Sequence, residues 1–129
     1  MDLFSPPGIA AWQARLNQSP SFAEAAQAWA GRLLLIESGG PEPGRSTWVV
    51  VGNGCCLEAR PGDASDGEGA DFVLSATPHA WADLVSARIT PATAALMGRL
   101  SLLKGDVMAL IPHAKAAAAL LAAAAGESR

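Results

Sequence analysis

The sequence has few charged residues. Only 16% of its 129 residues are charged, against about 25% in an average soluble domain. The 9 basic and 12 acidic side chains leave a net charge of −3, and the basic ones form no stripe. Nucleic-acid binding is therefore disfavoured, because it depends on clustered Lys and Arg. Anchoring to anionic membranes through a polybasic segment is disfavoured for the same reason. With 50% apolar residues, the composition favours an oligomer face or an internal apolar cavity.

The sequence also lacks a recognisable targeting or membrane-spanning segment. Its beginning, MDLFSPPGIAAW, has neither a positive first segment nor a continuous apolar stretch. The longest apolar run, Val107 to Ala125, is rich in alanine and is interrupted by Pro112, His113 and Lys115. This run predicts a soluble helix and not a membrane span. We therefore expect a cytoplasmic protein without stable membrane insertion.

Cysteine and histidine are equally scarce. The two cysteines, Cys55 and Cys56, are adjacent, and a disulfide between neighbours would strain the backbone. We interpret both as small buried apolar residues. His79 and His113 lie far apart in the sequence, so a zinc site is not indicated. No glycine-rich turn precedes a helix in the way a phosphate-binding loop would, and no cofactor is expected.

The first part of the chain predicts two helices followed by three strands. Apolar residues at helical spacing indicate a helix over residues 7–16. Ser21, with Glu24 three residues later, is typical of the start of a second helix that Gly31 would end. The strands are RLLLIE, STWVVVGNG and CCLEAR, with a hairpin turn near Gly52-Asn53-Gly54.

The remainder predicts an exposed acidic loop, a fourth strand, two short helices, a fifth strand and a last helix. Thr77-Pro78 and Thr90-Pro91 each place a capping hydroxyl before a proline, which is a common helix start. Gly98 ends the second of these helices, and RLSLLKG reads as the fifth strand. Asp106 is expected to cap the last helix, with Pro112 bending its first turns. Clustered strands and segregated helices predict an α+β domain, with a five-stranded, antiparallel-rich sheet and helices packed on one face.

The stretch ADFVLSATPHAWADLVSARITPATAALMGRLSLLKGDVMAL, residues 70–110, resembles the C-terminal half of the sterol-carrier-protein-2 (SCP2) sterol-binding domain family. The resemblance depends on Ala70-Asp71 at the start of an apolar strand, on the Thr90-Pro91 step, and on Gly98-Arg99-Leu100 followed by Lys104-Gly105-Asp106. With the order of the earlier elements it covers about residues 20–125. The chain would thus be one SCP2-like domain, residues 1–129, in which residues 1–19 form an N-terminal helical extension.

The resemblance implies an apolar tunnel between the sheet and its helices. Family members hold sterols, fatty acyl chains or acyl-CoA thioesters there and perform no covalent chemistry. Some bacterial stand-alone members resemble accessory factors of ubiquinone biosynthesis. Short, separately capped helices around residues 89–106 suit a cover that must part from the sheet, because such helices depend on packing for their stability.

We expect this tunnel to be lined by large apolar side chains from the sheet and from the covering helices. They are Trp48, Val50, Phe72, Leu74, Trp81, Leu84, Val85, Leu96, Met97, Leu100, Leu102, Met108 and Ile111. Arg88 and Arg99 are candidates for contact with an acidic head group at its mouth. Alternate strand residues share a face, but the pattern does not identify the face that meets the helices.

Three functions remain open at this stage. The first is non-catalytic lipid binding or transfer, and the second is an accessory factor that presents isoprenoid quinone intermediates to biosynthetic enzymes. The third is an enzyme that uses Cys55 or His79, although His79 and Asp83 at i and i+4 are typical of a solvated pair. The low charge leaves room for a homodimer or for a lipid-handling enzyme as partner.

Overall fold

The computed structural model describes residue 4 and residues 6–27, 29–38, 45–63, 65–86, 88–106, 108 and 111–123. In chain order these residues form α1 (Pro6–Asn17), α2 (Pro20–Ala25), β1 (Gly31–Glu37), β2 (Ser46–Gly52), β3 (Cys55–Pro61), α3 (Asp66–Gly69), β4 (Phe72–Ala76), α4 (Pro78–Val85), α5 (Pro91–Leu96), β5 (Leu100–Lys104), a 3₁₀ turn (Ile111–His113) and α6 (Ala114–Ala122).

The five strands form one sheet in the order β3-β2-β1-β4-β5. Neighbouring strands are antiparallel except β1 and β4, which run parallel. The parallel pair exists because the chain leaves edge strand β3 and crosses the sheet before it enters β4. The predicted α+β fold with an antiparallel-rich sheet is confirmed, and the crossover explains its single parallel pairing.

The hairpin between β2 and β3 turns where it was predicted. Asn53 and Gly54 both have positive φ, 53° and 76°, as the mirror-image turns of two-residue hairpins require. The register of the two strands shifts between Val50 and Val51. As a result both Cys56 and Ala59 of β3 face the same side of the sheet as Val49 and Val51.

Each face of the sheet has its own apolar layer, because successive strand residues point to opposite sides. On one side Leu33 and Leu35 pack in the main core, together with side chains of α1, α2, α4 and α6. We call this the helix side. On the other side Leu34 and Val73 belong to a smaller cluster. The crossover segment, residues 61–71, passes over this second face, where a Cβ placed on Gly67 would lie 3.9 Å from Leu34.

Two of the predicted helix starts are confirmed. Thr77 Oγ1 accepts a hydrogen bond from the Ala80 N–H at 3.1 Å, and Thr90 Oγ1 accepts one from the Thr93 N–H at 3.2 Å. In each case a proline follows the cap and occupies the first helical position. The hydroxyl thus satisfies an amide that has no partner within the helix.

The predicted start of the second helix at Ser21 is wrong by two residues. Ser19 is the N-cap, and its Oγ accepts from the Phe22 N–H at 3.2 Å. Pro20 explains the difference, because proline fits the first helical position and places the cap directly before itself. The helix ends at Ala25, and Gly31 begins β1 instead of closing the helix.

Asp106 Oδ1 accepts a hydrogen bond from the Met108 N–H at 2.9 Å, as the predicted cap requires, and Met108 is helical. Residues 107, 109 and 110 lie outside the description, and the regular helix α6 runs from Ala114. Pro112 lies in the 3₁₀ turn that precedes it. The acidic loop of residues 61–69, predicted as exposed and irregular, contains the short helix α3. In the described part of the chain no helix has the length and apolarity that a bilayer span requires.

Candidate ligand-binding site

The helix side of the sheet brings together many of the predicted lining residues, from β4, α4 and β5. Buried in this layer are Trp81, Leu84 and Leu100, and partly buried against it are Phe72, Leu74 and Val85. Leu102 is half-buried and lies opposite Leu74 in the β4–β5 pairing. These side chains form one continuous apolar region below α4 and beside β5.

Trp81 connects the covering helix α4 to the sheet. Its side chain is 3% exposed, and its indole Nε1 donates a hydrogen bond to the carbonyl of Ile36 at 2.9 Å. The Phe4 ring meets the indole edge to face, with the ring centres 5.9 Å apart. The polar atom of the indole is therefore satisfied, and its ring contributes only apolar surface to the layer.

Three other predicted lining residues are exposed to solvent and are not part of this buried layer. Leu96 is 88% exposed, Met97 63% and Met108 67%. Helix α5 instead packs through Ala94, which is fully buried. Among the described side chains of α5, Ala94 is the buried one and the large Leu96 is exposed, so this helix is only shallowly attached to the core. The side chain of Ile111, the remaining predicted lining residue of this part of the chain, lies outside the description.

Trp48 and Val50 lie on the second face, away from the other predicted lining residues. Trp48 is buried with Leu34 and Val73, and Val50 packs partly against that cluster. The Trp48 indole donates to Glu58 Oε1 at 3.0 Å. Their neighbours in β2, Val49 and Val51, are the residues that face the helices. The structure therefore does not bring Trp48 and Val50 together with Trp81.

The second face carries a cavity that was not predicted. Its volume is about 490 Å³, and its walls come from Phe4, Leu34, Ile36, Arg45, Ser46, Pro61, Gly62, Asp63, Gly67 and Val73. Arg45 binds both carboxylate oxygens of Glu37, at 3.0 and 3.1 Å, and lies 5.6 Å above the Phe4 ring. The cavity is thus mainly apolar, and its cation is already compensated.

The two arginines predicted for a head group converge on one carboxylate, that of Asp83 in α4. Arg99 Nη2 lies 2.7 Å from Asp83 Oδ2, and Arg88 Nη1 lies 4.0 Å from Oδ1. His79 Nε2 approaches Oδ2 to 3.6 Å from one turn earlier in the helix. The Arg99 hydrogen bond is the main reason why the pKa of Asp83 lies below its usual range. One carboxylate facing two guanidinium groups leaves an excess of positive charge at this corner.

The cysteines and histidines provide no assembled catalytic group. Cys56 is buried, as predicted, but Cys55 is exposed, because the two point to opposite sides of β3. Burial is the main cause that raises the pKa of Cys56 to about 11, so that its thiol stays protonated. The His79 side chain is 82% exposed on α4, whereas His113 stacks on Trp29 at 5.7 Å. Within the described ranges, no group of three or more His, Cys, Asp or Glu side chains could hold a metal ion.

The sequence indicated Arg88 and Arg99 as candidates but gave no sign of the partner that they share. The one signal for Asp83 was its i and i+4 spacing from His79, and nothing local linked it to Arg99, 16 residues away. The cavity on the second face gave no local signal either. Its walls come from Phe4, from β1 and β4, from Arg45 and Ser46 at the start of β2, and from the crossover, which are distant in sequence.

The fold defines the class of protein: a small α+β domain with helices packed over one face of a five-stranded sheet. Comparison with known proteins agrees with this class. The profile of the SCP-2 sterol transfer family matches residues 9–117. The chain belongs to the SCP-2 sterol transfer family, which makes lipid binding or transfer its class of function. No curated protein sequence matches the chain significantly.

Solved structures support this assignment. The crystal structure of a sterol carrier protein 2 is 31% identical, with a TM-score of 0.86 over 98% of this chain and 100% of that one. A conserved hypothetical protein from Thermus thermophilus, described as possibly a sterol carrier protein, is 32% identical, with a TM-score of 0.82 over 96% and 88%. A UbiJ-SCP2 ubiquinone synthesis protein, 18% identical, shares the fold with a TM-score of 0.60 over 94% and 90%.

Proposed function

We propose that the protein binds and transfers a lipid, without chemical conversion, in a tunnel on the helix side of the sheet. The ligand would be a fatty acyl chain, an acyl-CoA, a sterol-like molecule or another molecule with an apolar tail. One observation carries the proposal: buried apolar side chains of α4, β4 and β5 continue into exposed ones at the end of α5. Leu100 is 7% exposed, whereas Met97, three residues earlier, is 63% exposed. An apolar surface that runs from the core to solvent is what an entering hydrocarbon tail needs.

The lining that we propose follows from the faces of the strands. It consists of Phe72, Leu74, Trp81, Leu84, Val85, Leu100 and Leu102, with Leu96, Met97 and Met108 at the entrance and Ile111 on the segment before α6. Trp48 and Val50 are left out because they face the crossover segment. Methionine suits an entrance that accepts different ligands, since its side chain is unbranched and polarizable.

Helix α5 is the element that would move to admit a ligand. It has only 6 residues, so it depends on packing for its stability. It is held to the core through Ala94, and the Asp83–Arg99 contact holds the chain just after it. A displacement of α5 would therefore expose the space between α4 and β5 while the sheet stays intact.

The energetics fit a carrier that must also release its ligand. Burial of a hydrocarbon contributes about 0.8 kcal/mol per CH₂ group, or roughly 10 kcal/mol for a twelve-carbon chain. The loss of translational and conformational freedom offsets a large part of this gain. A dissociation constant on the order of micromolar is the expected result. Arg88 and Arg99 would add contacts to a carboxylate or phosphate head group at the entrance.

A second function in the same class is the presentation of an isoprenoid quinone intermediate to biosynthetic enzymes. The shared fold with the UbiJ-SCP2 protein favours it as the alternative. It uses the same helix-side surface and differs in the ligand and in a partner enzyme. The cytoplasm is the expected location for either function, and a homodimer or a lipid-handling enzyme is the expected protein partner.

Native mass spectrometry of protein purified without detergent, followed by organic extraction, tests the proposal. A bound acyl, sterol or prenyl species is expected. Two substitutions on neighbouring faces then locate it: Leu102→Trp fills the helix-side layer, and Val50→Trp places the same bulk on the second face. Both positions are half-buried strand residues. Leu102→Trp should lower occupancy and Val50→Trp should not, with circular dichroism confirming that both fold.

Other outcomes of this experiment are equally informative. Loss of occupancy with Val50→Trp alone would place the ligand on the second face and contradict the helix-side tunnel. Protein that is free of ligand, and that binds no fatty acid or quinone when these are added, would contradict the proposed function. Cys55→Ser and His79→Ala should both retain the ligand, because neither side chain belongs to the proposed lining.

A further inference from the structure

The cavity on the second face of the sheet lies under a roof that is fixed from both sides. The roof is the crossover segment with its helix α3. Arg60 of edge strand β3 binds Asp66 of α3 through two hydrogen bonds, both 2.9 Å long. From the opposite edge of the sheet, Lys104 of β5 donates to the carbonyls of Gly67 and Glu68, at 3.0 and 2.9 Å. Because the roof is held at both edges, the cavity is a preformed space, as is usual for sites that bind small molecules.

Two glycines let the roof approach the sheet without filling this space. A Cβ placed on Gly62 would lie 2.7 Å from Leu34 Cδ1 and 2.8 Å from Ser46 Oγ, and one on Gly67 would lie 3.9 Å from Leu34 Cδ2. A side chain at Gly62 would therefore collide with the floor of the cavity. The volume of about 490 Å³ falls within the range of roughly 300–1,000 Å³ that small-molecule sites have.

The described walls of the cavity are mainly apolar and carry no surplus of positive charge. Arg45 and Asp63 are the two charged residues among the described lining. Glu37 binds Arg45 through both carboxylate oxygens, so the Asp63 carboxylate is in excess. The Asp63 N–H already donates to Asp66 Oδ2 at 2.8 Å. An anionic ligand would be repelled by the excess carboxylate, whereas an uncharged apolar ligand would meet apolar walls.

We propose that the second-face cavity is a binding site for a compact, uncharged aromatic molecule. A rigid ligand suits a preformed cavity, because it loses little conformational freedom when it binds. The Phe4 ring in the wall favours an aromatic ligand, since rings pack well edge to face. The site shares no residue with the proposed lipid lining on the helix side. It is therefore a second site, and it does not depend on the proposed function.

Two walls of the cavity also hold Trp81, which lies on the helix side of the sheet. Phe4 packs edge to face against its indole, and Ile36, whose side chain lines the cavity, accepts the indole N–H through its carbonyl. The Trp12 indole donates instead to the carbonyl of Leu120, and neither of these residues belongs to the described lining. A ligand in the cavity should thus change the environment of the Trp81 indole N–H and leave that of Trp12 unchanged.

Titration of isotope-labelled protein with naphthol, followed by NMR of the indole N–H groups, tests the proposal. The Trp81 signal, assigned by its absence from Trp81→Phe, should shift saturably while the Trp12 signal stays in place. Ile36→Trp adds bulk to the cavity wall and should abolish the shift. Val50→Trp is the matched control, because Val50 is also a half-buried strand residue of the second face but lies outside the described lining. It should bind naphthol as the wild type does.

A milder substitution keeps the test valid if Ile36→Trp fails to fold. Ile36→Ser removes apolar wall and should weaken naphthol binding several-fold, since less apolar surface is buried. Circular dichroism checks the fold of each variant. Absence of a saturable Trp81 shift in the wild type would overturn the proposal, as would equal losses of binding in Ile36→Trp and Val50→Trp.

Two further arms identify the face and the charge of the ligand. Leu102→Trp fills the helix-side layer and should leave the naphthol shift intact. Loss of the shift in Leu102→Trp would place naphthol on the helix side and overturn the proposal. Naphthoate carries the same rings with a carboxylate and should bind more weakly, because Asp63 opposes it. Naphthoate that binds as tightly as naphthol would overturn the assignment of an uncharged ligand.

Discussion

The indole of Trp12 donates a hydrogen bond to the carbonyl of Leu120 at 2.8 Å, across 108 positions of sequence. Both residues are buried, at 0% and 3% exposure. The bond joins α1, near the start of the described chain, to α6, near its end. Both helices are thereby held in the main core on the helix side of the sheet.

Replacement of Trp12 by Phe should weaken this junction without leaving a large void. The buried Leu120 carbonyl would lose its indole partner, which costs about 1–3 kcal/mol, and the smaller ring adds a packing loss. Equilibrium urea denaturation should show a lower midpoint with an unchanged slope. The analogous change Trp29→Phe is the control, because Trp29 stacks on His113 in the same core. An unaltered midpoint for Trp12→Phe would show that the bond contributes nothing net.

Replacement of Asp83 by Asn should remove a pH-dependent part of the stability. The Arg99 hydrogen bond lowers the pKa of Asp83 in the folded protein. A lowered pKa adds stability that is fully present above the unfolded value, about 3.9, and is lost as the pH falls below it. The wild type should therefore have the higher Tm at pH 7, and the two proteins should converge as the pH falls below about 4. A Tm difference that stays constant with pH would contradict this account.

The two cysteines should differ sharply in reactivity. Cys55 is exposed, whereas Cys56 is 2% exposed and its pKa is raised to about 11. Brief treatment of the folded protein with iodoacetamide at neutral pH should alkylate Cys55 alone, because thiolate and access are both required. Mass spectrometry should show one adduct in the wild type, none in Cys55→Ser, and two after denaturation. Rapid modification of Cys56 in the folded state would mean that the core near β3 opens readily.

Gly105 should tolerate substitution poorly. Its φ is 102°, and a Cβ at this position would overlap the Phe72 ring and lie 2.8 Å from the Asp71 carbonyl oxygen. Gly105→Ala should cost about 1–3 kcal/mol from backbone strain alone, with the overlap added. Gly98→Ala is the matched control, since Gly98 also has a positive φ, 75°, but nothing lies within 4 Å of its would-be Cβ. Differential scanning fluorimetry should rank the Gly105 variant clearly below the Gly98 variant, and equal losses would show that strain is the only cost.

Local signals in the sequence predicted most of the architecture. Thr77-Pro78 and Thr90-Pro91 were sufficient because a cap and a proline act within one turn of their own helix. Asn53-Gly54 fixed the hairpin for the same reason. Ser19 could not be predicted from the capping-box spacing, which Ser21 and Glu24 satisfy, whereas Pro20 places the cap at Ser19.

The faces of the sheet could not be predicted in this way. Alternation along β2 separates Trp48 and Val50 from Val49 and Val51, but only the path of the chain decides which pair meets the helices. That path depends on the crossover from β3 to β4, which no short motif encodes. The Asp83–Arg99 pair was missed for the same reason, since it joins two elements through space.

The crossover also constrains the order in which the sheet can form. The hairpin of β2 and β3 needs only a two-residue turn, whereas β4 must find β1 about forty positions back along the chain. Contacts between residues so far apart in sequence cost more chain entropy. This entropy is lost before the contacts contribute any stability, so they slow folding. Strands β4 and β5 should therefore join the sheet late. Until they do, the backbone groups along one edge of β1 have no partner strand. Newly made chains are most prone to pair with one another while this edge is open.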